Sequence, residues 1–130
     1  MELISKTLNV NKTAEYLCDY LSKVANYEAL LPENTTKFEI KTDQSFVFAL
    51  KGMPEIALDI KTVNSPDNVI LGATNPNLPF TLTAKFTEPT AQSCHATLVF
   101  EGKFNAMMTM MIKNPIKNFI NTLIENIAKL

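Results

Sequence analysis

Residues 9–32, NVNKTAEYLCDYLSKVANYEALLP, contain the change of pattern that decides the fold class. Apolar residues in this stretch recur every three or four positions, which is the spacing of one helix face: Ala14, Leu17, Leu21 and Val24. Asn11 is placed to cap the helix, because its side chain can accept hydrogen bonds from free backbone N–H groups. The pattern predicts a helix that stops or bends near Asn26, then a second short helix from Tyr27 to Leu31, before Pro32.

Alternating residues flank this helical stretch on both sides. Residues 2–10 form a β-type segment with apolar Leu3, Ile4, Leu8 and Val10. After Pro32 the period falls from about 3.6 to 2, the period of a strand with one buried face. The apolar stripes are Phe38 and Ile40; Phe46, Phe48 and Leu50; Ile56, Leu58 and Ile60; Phe80, Leu82, Ala84 and Phe86; and Cys94, Ala96, Leu98 and Phe100.

Turn residues separate these stripes at Asp43–Gln44, Gly52–Pro54, Ser65–Asn68, Asn75–Asn77 and Glu88–Thr90. A further short strand spans residues 69–74, and two phases stay open for it: Ile70 and Gly72, or Val69, Leu71 and Ala73. Six strands in succession, with a turn about every 8 to 12 residues, predict an antiparallel meander.

Helical spacing returns in the C-terminal segment. Its apolar stripe steps by three or four through Met108, Ile112, Ile116, Phe119, Leu123, Ile127 and Leu130. Pro115 has no N–H and its ring clashes with the carbonyl of Met111 in a continuous helix. We therefore expect a bend or break there, with both segments on the sheet; in the case of a break, Asn114 caps a new helix that begins at Pro115.

Composition excludes several classes of protein. The chain of 130 residues suits one domain, residues 1–130, and 12 lysines against 13 acidic residues leave no basic footprint for nucleic acid. No run approaches the roughly 20 apolar residues of a transmembrane helix. The start of the chain has no secretory signal pattern, so Cys18 and Cys94 are expected to be free thiols in a reducing cytoplasm.

The order of strand, two short helices, six strands and long helix resembles the helix-grip fold of the START-like superfamily, also called SRPBCC. This superfamily includes birch-pollen-allergen-like proteins and polyketide cyclases. The similarity lies in residues 9–32, in the strand Pro54–Val63 and in Asn105–Leu130, and the last resembles the terminal helix of small bacterial cyclase-like or carbon-monoxide-dehydrogenase-subunit-G-like members.

The resemblance implies an α+β fold in which a curved antiparallel sheet of about seven strands surrounds a long C-terminal helix. It also implies an apolar cavity between sheet and helix that binds a small hydrophobic, lipid- or polyketide-like molecule. The superfamily contains binding proteins, assembly factors and cyclase or dehydratase enzymes. An accessory protein acting through its surface and an enzyme are therefore alternatives to a binding protein.

The strand stripes and one helix segment supply the candidate ligand-binding residues: Phe38, Phe46, Phe48, Leu58, Ile60, Phe80, Leu82, Leu98, Phe100, Met107, Met108, Met111 and Ile112. The strand residues equally suit a core that its own side chains fill. Four of the six methionines lie in residues 107–111. Because methionine is flexible, this segment suits a lid over the cavity or a surface for a membrane or partner. In a third alternative, Met108 and Met111 belong to the core, and Met107 and Met110 are partly exposed by accident.

No catalytic or metal-binding set emerges from the sequence. His95 is the only histidine, and its neighbour Cys94 points to the opposite face of the strand. If Cys94 faces inward, His95 faces solvent. No zinc-ligand spacing is present, three glycines form no phosphate loop, and the carboxylates fall mostly off the inward phase. We expect no metal and no cofactor, and the oligomeric state stays open.

Overall fold

The computed structural model describes residues 1–75 and 79–130 and has one curved antiparallel sheet packed against a long helix. The elements in chain order are β1 (Glu2–Ile4), β2 (Leu8–Val10), α1 (Ala14–Leu21), a 3₁₀ helix (Val24–Leu30), β3 (Thr35–Thr42), β4 (Ser45–Leu50), β5 (Ile56–Asn64), β6 (Asn68–Ala73), β7 (Phe80–Thr87), β8 (Cys94–Gly102) and α2 (Ala106–Ala128). The predicted α+β helix-grip fold is confirmed. Of the predicted turn at Asn75–Asn77, Pro76 and Asn77 lie outside the described residues.

The six strands from β3 to β8 form the predicted meander, because each pairs with the next along the chain. The sheet order is β1-β8-β7-β6-β5-β4-β3, and β2 also pairs with β8. In β6, Val69 and Leu71 are buried and Ile70 is only partly covered, so the structure selects the second of the two phases. In β8, Cys94 is fully buried, whereas the His95 side chain is 41% exposed, as alternation predicts.

The predicted first strand is divided into β1 and β2 by one extra residue. Ile4 pairs with Val99, but Leu8 pairs with Ala96, so four steps on the edge match three steps on β8. Ser5 repairs the ladder at this bulge. Its backbone N–H donates to the Leu98 carbonyl at 2.9 Å, and its hydroxyl accepts from the Leu98 N–H at 2.8 Å and donates to the Lys6 carbonyl at 2.9 Å.

Helix α1 begins later and ends earlier than the sequence pattern predicts. The capping residue is Thr13, and the assignment of Asn11 is wrong. Thr13 is the extended residue directly before the helix, and its hydroxyl accepts from the Tyr16 N–H at 3.1 Å. The helix already ends at Leu21, where Ser22 caps it, and Val24 begins the 3₁₀ helix. The predicted end near Asn26 is therefore wrong by one turn.

Helix α2 runs continuously from Ala106 to Ala128 with Pro115 inside it, so the predicted alternative of a break is wrong. Asn105 caps it by accepting from the Met108 N–H at 2.8 Å. Both segments face the sheet as expected, but the first is less deeply packed, since its Ile112 is only partly buried against the core. The first buried residue of α2 is Ile116, and the residues before it are exposed or half-buried.

The second half of α2 is anchored by apolar packing and by polar contacts. Its buried residues are Ile116, Phe119, Ile120, Leu123, Ile124 and Ile127. Asn126 donates to the Leu30 carbonyl at 2.8 Å, and Asn121 accepts from the Lys6 N–H at 3.0 Å. These contacts hold α2 to the 3₁₀ helix and to the link between β1 and β2. No helix in the described ranges combines the length and apolarity needed to cross a bilayer.

We expect Ser5→Ala to lower the free energy of unfolding by about 1–3 kcal/mol, since it leaves the buried Leu98 N–H without its acceptor. Urea unfolding followed by circular dichroism measures the change. Thr7→Ala, in the same link but exposed, is the matched control and should cost less. Equal losses in the two variants would contradict the assigned role of Ser5.

Candidate functional site

A pocket of about 300 Å³ lies between the sheet and the first half of α2. Its lining combines aromatic and aliphatic side chains with two polar residues at the margin. The described lining residues are Val47, Phe48, Met53, Pro54, Glu55, Ile56, Ala57, Leu58, Ala73, Asn75, Phe80, Leu82, Phe100, Phe104, Met108, Ile112, Ile116 and Phe119. A small cavity of this kind, mostly apolar with few polar groups, is the usual form of a small-molecule site.

Part of the predicted set lines this pocket: Phe48, Leu58, Phe80, Leu82, Phe100, Met108 and Ile112. The other predicted residues lie elsewhere. Ile60 and Leu98 are core residues, and Phe46 is buried between Tyr27 and Phe38, with ring centroids at 4.9 and 5.7 Å. Phe38 itself is half-buried on the edge strand β3. An inward phase therefore places a side chain in the interior but does not decide which part of the interior it reaches.

Met107 and Met111 also lie outside the pocket lining, with 74% and 69% of their surface exposed. Both sit on the solvent side of α2, because Met108 and Ile112 occupy the side that faces the sheet. Met111 is therefore not a core residue, contrary to one of the alternatives that the sequence left open. Only Met108 of the cluster lines the cavity.

The stacked rings of Phe48 and Phe119, 5.3 Å apart, form the boundary between the pocket and the filled core. Beyond them, the interior around Leu30, Leu123 and Ile127 has a gap of only about 10 Å³. That is about the smallest space that holds one water molecule. The interior is thus filled at the end where α2 is anchored and open at the end where it is not.

A second wall of the pocket is a row of three rings, of which alternation predicts Phe80 and Phe100 but not Phe104. The Phe80 ring is tilted against Phe100 with ring centroids 5.2 Å apart, and Phe100 stacks on Phe104 at 6.2 Å. Phe104 lies in the short connection between β8 and α2, where no strand or helix period applies. Phe119 and Ile116, by contrast, belong to the apolar stripe of α2 and could have been added from that signal.

Glu55 is the one ionisable side chain among the described lining residues, and it is not isolated. Its carboxylate accepts from Lys37 Nζ at 2.6 Å, and its side chain is 58% exposed. This contact raises the pKa of Lys37 above its ordinary value. The Glu55–Lys37 pair therefore leaves the margin of the pocket without net charge.

Tyr27 is the buried polar side chain nearest the filled end of the interior. Its hydroxyl donates to the Leu21 carbonyl at 2.7 Å, and its ring stacks on Phe46. Burial raises the pKa of Tyr27, since the phenolate would lose its hydration. The side chain lines the small filled gap and not the 300 Å³ pocket, so it holds the 3₁₀ helix against the sheet.

The remaining reactive side chains lie away from the pocket. His95 Nδ1 is 3.0 Å from a carboxylate oxygen of the exposed Glu88. Cys18 and Cys94 are free and buried, and burial raises the pKa of both thiols. A thiol with a raised pKa carries little nucleophilic thiolate at neutral pH. The described residues contain no cluster of three or more potential metal ligands.

Comparison with solved structures shows which known proteins share this fold. Norcoclaurine synthase from Thalictrum flavum superposes with a TM-score of 0.75 at 14% identity, over 99% of this chain and 86% of that chain. The protein XoxI from Bacillus cereus gives 0.74 at 9% identity, over 98% and 93%. A START superfamily protein from Mycobacterium smegmatis gives 0.68 at 10% identity, over 98% and 97%.

The chain therefore shares the helix-grip fold of these START-like and related structures, as the resemblance in its sequence implies. No family model matches the sequence. No curated protein matches it either. At 9% to 14% identity these neighbours establish the fold and leave the function to be argued from the pocket.

The buried phenol should make the protein less stable in alkali. The folded state keeps the Tyr27 proton above the ordinary pKa of 10.0, whereas the unfolded chain loses it, so stability is lost as the pH rises beyond that value. Above about pH 10, we expect wild type to lose stability more steeply than Tyr27→Phe, by up to about 1.4 kcal/mol per pH unit. Urea unfolding across this range measures both slopes, and parallel slopes would show that the phenol is not buried in its neutral form.

Proposed function

We propose that this chain binds a small, uncharged apolar molecule in the pocket between β4–β8 and the first half of α2. The observation that carries the proposal is an apolar cavity of about 300 Å³ beside a core that is otherwise filled. Apolar surface in contact with water has a free-energy cost of about 25 cal/mol per Å². A bound apolar molecule would remove this cost by covering the surface. The fold's use in other proteins supports a ligand-binding role in general.

The size of the pocket limits the ligand. A volume of about 300 Å³ is at the lower end of the roughly 300–1,000 Å³ range of small-molecule sites. The rings of Phe48, Phe80, Phe100, Phe104 and Phe119 offer faces and edges for stacking. We therefore propose an aromatic or branched apolar compound and not a long acyl chain.

The charge of the lining limits the ligand further. The described lining residues include no lysine and no histidine, and their single carboxylate, Glu55, is already paired with Lys37. An anionic head group would enter the cavity without a cation to neutralise it, which is energetically costly. This favours an uncharged compound over a free fatty acid. A cytoplasmic location belongs to the same proposal, since Cys18 and Cys94 are unpaired thiols.

The enzyme alternative receives less support from the same lining. Norcoclaurine synthase, which shares the fold, has been solved with dopamine and hydroxybenzaldehyde bound. A cyclase or dehydratase needs an acid or base that reaches the substrate. In this chain the ionisable side chain among the described lining residues is Glu55, which is largely exposed and held by Lys37. Binding without chemistry accounts for the pocket with the side chains that are present.

We further propose that the ligand gains access by movement of residues 106–114. This segment covers the pocket with Met108 and Ile112 but has no fully buried side chain. Pro115 cannot donate to the Met111 carbonyl, so one helical hydrogen bond is missing where the covering segment joins the anchored part of α2. The helix is weakest at the point where a lid would have to turn.

A pair of fluorescent probes tests the ligand class directly. N-phenyl-1-naphthylamine is uncharged, and 8-anilino-1-naphthalenesulfonate has the same aromatic body with a sulfonate added. We expect the uncharged probe to bind at least about tenfold more tightly, equivalent to ~1.4 kcal/mol. Tighter binding of the sulfonate would contradict an uncharged ligand.

Ala73→Phe should weaken binding of the uncharged probe at least about tenfold by filling the pocket. Ala73 pairs with Leu58 in the sheet and so points to the same inner face. Thr81→Phe, on the outer face of the neighbouring strand, is the matched control and should bind as wild type does. Unchanged affinity in a folded Ala73→Phe variant would exclude this pocket as the site, and Ala73→Leu repeats the test with a smaller side chain.

Pro115→Ala tests the lid. Restoring a helical N–H should raise the free energy of unfolding by up to about 3 kcal/mol and slow association of the uncharged probe. Stopped-flow fluorescence measures the rate, and Asn114→Ala is the control at the exposed neighbouring position. A more stable variant with an unchanged association rate would show that access does not require movement at this point of α2.

A further inference from the structure

The first half of α2 carries three methionines that nothing in the described structure covers. Met107, Met110 and Met111, here called the Met patch, are 74%, 82% and 69% exposed. They occupy the outer side of the same helical segment whose inner side contributes Met108 and Ile112 to the pocket. The Met patch is therefore the outer surface of the pocket wall. Exposed apolar side chains grouped in this way mark an interaction surface.

Uncompensated positive charge surrounds the Met patch. Lys113 and Lys117 follow it on α2, Lys103 precedes it, and Lys51 lies across a groove from Asn114. Within the described residues, none of these four exposed lysines forms a salt bridge, as is also true of Lys12, Lys85 and Lys129, whereas Lys6, Lys23, Lys37, Lys41 and Lys61 each do. The sequence has no acidic residue between Glu101 and Glu125.

We propose that the Met patch and its lysines dock on a lipid bilayer that contains anionic head groups. A helix surface with protruding apolar side chains flanked by lysines matches the layered chemistry of a membrane interface, in which acyl chains lie below anionic phosphates. The aliphatic parts of the Lys113 and Lys117 side chains can lie along the membrane interface while their ammonium groups stay at the phosphates. The chain then touches the membrane with the wall of its pocket.

A bilayer explains this surface better than a folded partner protein does. The methionines project from a convex helix and form no groove that would position a partner's side chain, and their flexible thioethers suit a fluid surface. The four lysines are spread over α2, the β4–β5 turn and the β8–α2 connection, so they match distributed negative charge and not a single site. This proposal goes beyond ligand binding and does not depend on it, since docking needs no occupant in the pocket.

Vesicle co-sedimentation of the full chain tests the proposal. The probes are vesicles of phosphatidylcholine alone and vesicles with about 30% phosphatidylglycerol. We expect clear binding to the anionic vesicles, weaker binding to the neutral ones, and a loss of binding when salt rises from about 0.05 to 0.5 M. No binding to either vesicle, or equal binding to both, would overturn the proposal.

Variants assign the contact to this surface. A triple variant with Met107→Gln, Met110→Gln and Met111→Gln keeps residues that favour a helix, and its affinity should fall at least about tenfold. Lys113→Gln with Lys117→Gln should lower affinity about 25-fold at low salt, from about fivefold for each lysine. The pair Lys85→Gln with Lys129→Gln is the matched control for the two lysines, and Ile4→Gln removes one exposed apolar side chain elsewhere; both controls should bind as wild type does.

Two results would contradict the assignment of this surface. In one, the control variants lose as much vesicle binding as the variants of the Met patch. In the other, the Met patch variants bind vesicles normally but abolish a dimer seen by analytical ultracentrifugation, which would make the surface a protein interface. Probe binding to the pocket is measured separately, so a failure of docking is distinguishable from a failure of the proposed ligand binding.

Discussion

The stack of Phe48 on Phe119 is the contact on which the arrangement of the interior depends. It joins β4, the strand next to the β3 edge of the sheet, to the part of α2 where burial begins. On one side, helix and sheet are close enough for their side chains to fill the space, and Asn121 and Asn126 hold the helix in place. On the other side, α2 continues over the sheet with side chains that are only partly buried, such as Ile112, and the pocket lies between helix and sheet. One helix thus serves as a core element and as the wall of a cavity.

Charged side chains are distributed differently on the inner and outer sides of the first half of α2. Inside the pocket, the Glu55–Lys37 pair leaves the described lining without net charge, so the cavity suits an uncharged molecule. Outside it, the lysines near the Met patch have no carboxylate partners in the described structure, so the same helix segment presents positive charge and exposed methionine to the surroundings. The inner and outer sides of residues 106–114 therefore point to two different kinds of contact, one with a small molecule and one with a surface.

Residue spacing, capping preferences and the effect of proline predict most of the secondary structure but fail at a few positions. Alternation placed β3 to β8 in the right order, because apolar residues recur with a period of two in these strands. The pattern did not decide how deeply each strand is buried: Ile40 of β3 is 48% exposed, whereas β4 is buried on both faces. The cap of α1 was misassigned since Asn11 and Thr13 are both good capping residues, and only the backbone conformation at Thr13 decides between them. The sequence left a bend and a break at Pro115 both open, because the cost of one lost hydrogen bond is local, whereas the packing that offsets it and keeps α2 continuous comes from residues 116–127.

The candidate site, too, could be predicted from the sequence only in part. The sequence by itself determined the fold class, the inward faces of most strands and the apolar character of the interior, since these follow from the spacing of residues along the chain. It could not determine which inward residues meet a cavity and which meet one another, because that depends on the distance between α2 and each strand. Phe46 and Phe48 belong to the same alternating stripe of β4 and are equally buried, yet Phe46 packs in the core and Phe48 lines the pocket. Only the tertiary structure decided this, because the volume of a cavity belongs to the gap between packed elements and is not encoded in the pattern of either element.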